Sequence, residues 1–268
     1  LFVQAWWDLS LPAYTSDIID VGIQNNGVGH VVPEKMTADE FDTAQFIMTD
    51  KETNTWKDIY EKKDDLYELK GLSNKELNDI DEELTIPLIM NYQMRAMEVD
   101  TFKETIAKQM GKDVSAFADM SVEDIGAMMH VDLKSFKQEK EDDDGNKIKV
   151  DCVDVRPIFA NMLASGAMDK DQILSMRDTM EDTIDTMGSS LVKSMGIAYA
   201  VAADKDAGVN ADKIQKSYLL SAGLKMVGMA LLMGLVTVLV GFFASRIGAG
   251  IGMNLRDGVF KRVVGFSN

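Results

Sequence analysis

One cysteine, Cys152, stands in a chain of 268 residues, so no disulfide can form within it. A domain folded without that staple must rely on an ordinary apolar core. Histidine is almost as scarce: His30 and His130 are remote from each other and from Cys152, with none of the paired spacings that zinc sites use. Both read as surface or structural side chains. The chain has no G-x-x-x-x-G-K-[ST] phosphate loop and no G-x-S-x-G nucleophile turn. We therefore expect it to contain no catalytic residue, no cofactor-binding residue and no metal ligand of its own. Basic side chains are in deficit too, and the formal net charge is −16. Such a surplus of carboxylates repels phosphate backbones, which argues against nucleic acid as a partner.

The deficit is uneven. Residues 1–245 carry 43 acidic and 24 basic side chains, whereas residues 246–268 carry one acidic and four basic. The acidic part reads as a solvated surface, with contacts to cations or cell wall as the lesser alternative.

What the chain does have is an uncharged, mostly apolar run, Met226 to Ser245, MVGMALLMGLVTVLVGFFAS. A helix rises about 1.5 Å per residue, so this run matches the roughly 30 Å hydrocarbon layer of a bilayer. Arg246, Arg256, Lys261 and Arg262 follow it. Basic residues just beyond a span tend to remain cytoplasmic, so residues 24–216 are expected outside the cell and 246–268 inside. The opening LFVQAWWDLSLPAYTSDIIDVGI lacks the basic leader and cleavage site of a signal peptide. It reads as the outer part of a second membrane helix, with Trp6, Trp7 and Tyr14 suited to the membrane–water interface. A short, partly buried amphipathic helix is the alternative. Helical character runs to both ends of the sequence, so both are expected to be cut from a longer chain.

Between the two apolar segments the pattern is mostly helical. Gln24–Pro33 is a loop. Residues 36–111 read as helix, with Thr37/Glu40 and Ser73/Glu76 at capping-box spacing and Pro87 ending or bending the second stretch. Leu88–Gln109 resumes as helix, and Ser121/Asp124 opens a short one. The one strand signal is 133–155, where alternation flanks Asp144-Gly145, a dipeptide that favours a tight hairpin turn. A calcium loop centred on Gly145 would place Lys140 where the first carboxylate belongs, so a hairpin with a charged tip is the better reading. Helices follow over 158–164, 170–183 and 186–203, and 211–266 reads as one helix about 80 Å long. The expected architecture is mainly α. Two transmembrane helix regions, 1–23 and 213–268, flank a largely helical acidic extracellular domain, 24–212, with one small β-hairpin.

Nineteen methionines are many for this length. Met176, Met180 and Met187 share a helical face, as do Met226, Met229 and Met233; packing explains such rows far more often than soft-metal ligation. On the last helix Thr237, Gly241, Ser245, Gly248 and Gly252 form a row of small residues that lets another helix approach closely. Ile247, Ile251, Leu255, Val259 and Val263 extend an apolar stripe beyond the span and call for a helical partner there as well.

Two segments resemble a known family. LPAYTSDIIDVGIQ is similar to the outer end of the first transmembrane helix of type I ABC exporters, in which a proline precedes an Ile-Asp-x-Gly-Ile signature. SRIGAGIGMNLRDGVFKRVVGFSN resembles the intracellular extension of their second helix, with Arg246, Leu255-Arg256, Val259-Phe260 and Phe266-Ser267 at matching places. The family joins these helices by a short outer loop. Here residues 24–212 are inserted, as in a subgroup of exporters from Gram-positive, Clostridia-like bacteria.

The resemblance implies a parent protein in the plasma membrane with six transmembrane helices and a nucleotide-binding domain that uses ATP and Mg. A second half-transporter would complete a homo- or heterodimer. This chain would then be part of a permease that moves a drug, lipid or peptide outward. Its partners would be the bilayer, the remaining transmembrane helices, the nucleotide-binding domain and the other half-transporter. Walker, signature and switch residues are not in this segment, and no substrate-binding residue carries over, because the family's motifs here are structural. A two-helix membrane sensor with an extracellular ligand-binding domain has the same topology but needs neither the Ile-Asp-Val-Gly-Ile end nor the small-residue row. An adhesion or structural ectodomain is a third reading.

Overall fold

The computed structural model describes residues 9, 12, 14–16, 18–141, 147–184 and 186–266. The chain divides into two compact units, Leu1–Gly27 with Lys213–Asn268, and Val28–Asp212.

The Val28–Asp212 unit begins with a short strand, β1 (Lys35–Thr37), which turns directly into helix α1 (Ala38–Ala44). Thr37 makes that junction possible: its backbone is extended while its hydroxyl accepts from the Glu40 amide at 3.2 Å. Helix α2 (Asp50–Ile59) starts with a reciprocal capping box between Thr49 and Glu52, and α3 (Asn74–Arg95) with one between Ser73 and Glu76.

Between them lie two strands that the helical reading of 36–111 missed, β2 (Tyr60–Lys63) and β3 (Leu66–Leu69). They pair antiparallel, with β1 on the other side of β3. Their turn holds Asp64 at φ 54°, a left-handed position that aspartate tolerates without the glycine that usually flags a hairpin. Strands of three or four residues are also too short for alternation to stand out.

Pro87 does not end α3. The helix runs through it because Leu84, Leu88 and Ile89 on either side are fully buried, and Asn91 ties the proline turn to α1. The Asn91 Nδ2 group donates to the Pro87 carbonyl at 3.1 Å and the Ala44 carbonyl at 3.0 Å. The expected continuity of 88–109 is instead broken by β4 (Met97–Glu98), after which α4 (Val99–Gln109) begins. Helix α5 (Val122–Met128) is capped by Ser121 as its spacing indicated.

The hairpin of β5 (Ser135–Glu141) and β6 (Lys147–Val153) pairs from Ser135↔Val153 to Glu141↔Lys147. Its tip, with Asp144-Gly145, lies outside the described residues. The hairpin is not isolated: β4 adds to β6, so this unit holds two three-stranded sheets where one hairpin was expected. Helices α6 (Arg156–Ala164), α7 (Lys170–Ile184) and α8 (Ser189–Asp206) complete the unit.

Its apolar residues gather in two clusters. The first joins β1, α1 and α2 to α3 and α8 through Met36, Phe41, Trp56, Leu84 and Tyr199. Phe41 stacks on Tyr67 at 3.7 Å between ring centroids, and the Trp56 indole donates to the Phe41 carbonyl at 3.2 Å. The second cluster gathers Ile47, Met94, Phe102, Ile125, Val153 and Ile173.

In the other unit, Ile18–Gln24 forms a π-helical segment. Helix α9 (Ala211–Gly265) runs unbroken for 55 residues, about 80 Å. The two touch closely at Gly22. A Cβ there would lie 2.6 Å from Leu219 Cδ2, and the Gln215 side chain donates to the Gly22 carbonyl at 2.9 Å. Among the described residues α9 is the one helix long and apolar enough to cross a membrane. A second transmembrane region is not shown; most of residues 1–17, with Trp6 and Trp7, lies outside the described residues.

Candidate functional site

Two features stand out as places where function can reside: the uncovered face of α9 and a set of buried ionic groups in the Val28–Asp212 unit. None of the α9 side chains is buried. Its apolar window is bounded by Lys225 and Arg246, so twenty uncharged residues occupy about 30 Å. A Cβ added at Gly241, Gly248 or Gly252 would meet nothing within 4 Å. The stripe Ile247, Ile251, Leu255, Val259 and Val263 is likewise exposed. Such a surface is stable only against lipid or other helices.

The ionic groups were invisible to sequence reading. Arg156, at the start of α6, is buried and forks onto Glu40 of α1, with Nη1–Oε1 at 2.7 Å and Nη2–Oε2 at 3.0 Å. Asp154 closes the other edge of the guanidinium, accepting from Nε at 3.0 Å and Nη2 at 2.8 Å. Arg95, at the end of α3, lies 3.5 Å from Glu40 and pairs with Asp206 of α8. Burial alone raises the Glu40 carboxyl, but hydrogen bonds and charge from Arg156, with help from Arg95, more than offset it and hold Glu40 below the usual carboxylate range. These partners are 116 and 111 residues apart in sequence, and no local pattern announces them.

Asp81 of α3 forms a second group. Its Oδ2 takes His30 Nδ1 and Lys193 Nζ, each at 2.8 Å, and its Oδ1 accepts from the Val31 amide at 2.9 Å. Burial again raises this carboxyl, and the three donors outweigh it, so Asp81 stays ionised. Arg177 of α7 binds Glu52 of α2 at 2.6 Å. In all three groups a fixed charge clamps segments distant in sequence, and no nucleophile is placed beside a base.

Asp204, near the end of α8, differs. It is buried, its Oδ1 accepts from the Lys35 amide at 2.8 Å, and its Oδ2 has no hydrogen-bond partner among the described residues. Burial pushes its carboxyl up to about 7.

The residues weighed as metal ligands are not brought together. His30 is spent on Asp81, His130 sits at φ 56° in the turn after α5, and Cys152 is buried in β6. Among the described residues no three His, Cys, Asp or Glu side chains cluster for a metal. Met180 packs on the second core, whereas Met176 and Met187 are exposed. No family model, curated protein or solved structure matches the chain.

Proposed function

We propose that this chain is part of the transmembrane permease of an ATP-driven type I ABC exporter, with Val28–Asp212 as an accessory domain outside the cell. The observation that carries the reading is α9. A single helix contains a span of membrane length and then continues from Arg246 to Gly265 with an apolar stripe still exposed. A two-helix sensor needs one seam between its helices. A small-residue row inside the span followed by an apolar stripe outside it suits a bundle of several long helices that protrudes into the cytoplasm. The resemblance of 11–24 and 245–268 to the ends of the first two exporter helices supports the same choice.

In this reading α9 is the second permease helix and its exposed row receives neighbouring helices. The accessory domain lacks a phosphate loop or nucleophile turn and serves as a gate cover, cargo receptor or docking surface. ATP and Mg act in the parent's nucleotide-binding domain, and export runs outward across the plasma membrane. The test is reconstitution of the full-length parent in lipid vesicles. Mg-dependent ATP hydrolysis coupled to transport is expected, and removal of residues 31–210 should leave basal hydrolysis largely intact while altering transport. A parent that phosphorylates a partner protein and hydrolyses ATP without moving any solute would favour the sensor.

A further inference from the structure

Strand β1 is an edge of its sheet, so one side of its backbone needs a partner other than a strand. Asp204 supplies it. Its Oδ1 takes the Lys35 amide and so fastens the last turn of α8 to the start of β1, across 169 residues of sequence. The joint is dry: Asp204 and the preceding Ala203 are both buried. The second carboxyl oxygen, Oδ2, meets no donor among the described residues. An ionised carboxylate in that position gives up its water and gains only the backbone amides of Lys35 and, more weakly, Glu34, whereas a neutral acid keeps the Lys35 bond through its carbonyl oxygen and loses far less.

Positive charge relieves it only in part: Lys35 draws the Asp204 carboxyl down, but by less than burial pushes it up. From β1 and the residue before it come Lys35, whose ammonium is engaged by Glu68 of β3, and Glu34, whose charge opposes that of Asp204. β2 contributes Tyr60, whose hydroxyl is fixed on the Pro33 carbonyl at 2.8 Å. α8 itself contributes Tyr199, which is buried, and Lys205 and Asp206, which are exposed. On the facing helix α3, Arg95 is taken by Asp206 and Glu40.

We infer that Asp204 is a proton-operated latch: with its carboxyl protonated the last turn of α8 is docked on β1, and with it ionised that turn opens to hydrate the charge. The proton adds to Oδ2 and leaves to water, and no other bond changes. The latch sits seven residues before the start of α9, so loosening it frees the chain immediately preceding that helix.

The sign follows from linkage. The docked state holds the proton up to about pH 7, whereas an unfolded aspartate releases it near 3.8. The stabilisation is thus fully present below about pH 4 and is lost as pH rises through about 7. Hydrogen–deuterium exchange of the full chain in detergent micelles, corrected for intrinsic rates, reads the opening directly. Between pH 6 and 8 the opening of 33–37 and 197–206 should increase about tenfold. Asp204→Asn and Asp204→Leu cannot titrate and should remove that dependence while leaving the pH response of α4 and α5 unchanged.

A native chain with no such rise, or either variant with the native rise, overturns the latch. Should neither variant fold, infrared titration of the native chain decides. A protonated-carboxyl band that disappears with a midpoint near pH 7 is required, and its absence at pH 6 contradicts the proposal.

Discussion

Arg156 and Glu40 show what single residues do in this chain. The pair is buried and doubly hydrogen-bonded, so breaking it strands a charge in a place water does not reach. Removing one partner of such a pair typically costs about 3–5 kcal/mol, whereas replacing both with apolar side chains of similar size is often nearly neutral. Arg156→Ala should therefore lower the melting temperature sharply, and Glu40→Leu combined with Arg156→Met should recover much of the loss. A double-mutant cycle by thermal denaturation measures this; equal losses in single and double variants would mean that the guanidinium acts through packing alone.

The pH dependence of the pair is opposite to that of Asp204. Glu40 has its carboxyl lowered from about 4.5 in the native state, so its stabilisation is present above that pH and is lost as pH falls through the lower native value. Asp81, also lowered, has the same sign. Acid melting of the Val28–Asp212 unit should thus begin below about pH 4.5 and be displaced upward in Glu40→Gln, read by circular dichroism across a pH series.

At the scale of elements, glycines separate close contacts from open faces. Gly196 of α8 is buried where that helix meets Val31 and Thr85, and a Cβ there would lie 2.8 Å from Val31 Cγ1. Val31 is itself fully buried, so it has little room to yield. Replacing a mid-helix glycine by alanine gains about 1 kcal/mol of helix propensity, but overpacking costs about 1–3. We expect Gly196→Ala to be destabilising on balance, by about 1 kcal/mol in urea denaturation; a gain in stability would show that α8 can move away from Val31 and α3.

Gly248 of α9 has open space around it, and in the proposed permease that space receives a neighbouring helix. Gly248→Leu should impair assembly or transport more than Val240→Leu, which lies off the small-residue row, while both leave the Val28–Asp212 unit unchanged. Parallel assays of export and ATP hydrolysis in membrane vesicles check this, and equal tolerance would make the row lipid-facing.

The same scale shows why some elements could be read and others could not. Capping boxes at Ser73 and Ser121, a hairpin within 133–155 and the long last helix are local signals, and each appears where its spacing put it. β1 to β4 are two to four residues long, too short for periodicity to mark them; β1 and β4 also depend on distant partners, while β2 and β3 turn on Asp64 without the usual glycine. Pro87 would break an isolated helix, and only burial on both sides carries α3 through it. The buried ionic groups were illegible for the same reason: Glu40, Asp154 and Arg156 each look like ordinary surface charge until folding brings them together.

For the whole molecule, two apolar clusters and three ionic groups built on the buried carboxylates Glu40, Asp81 and Glu52 lie within residues 28–212, with no metal cluster among the described residues. That unit should fold without α9. Residues 28–212 produced alone should give a helix-dominated circular dichroism spectrum that neither chelator nor reductant changes. A strand-dominated spectrum, or melting on addition of chelator, would contradict the account.

In the proposed topology the chain crosses the plasma membrane through α9, with residues 28–212 outside and the basic end inside. Cys152 is fully buried, so the native chain should be silent toward an impermeant thiol reagent. Single cysteines at two exposed positions, Lys149→Cys in β6 and Gly258→Cys near the end of α9, then report the two sides in intact cells expressing the full-length parent. Labelling is expected at position 149 without permeabilisation, and at position 258 only after it. Labelling at position 258 but not at 149 in intact cells would reverse the topology, and labelling at both would mean that α9 does not span the membrane.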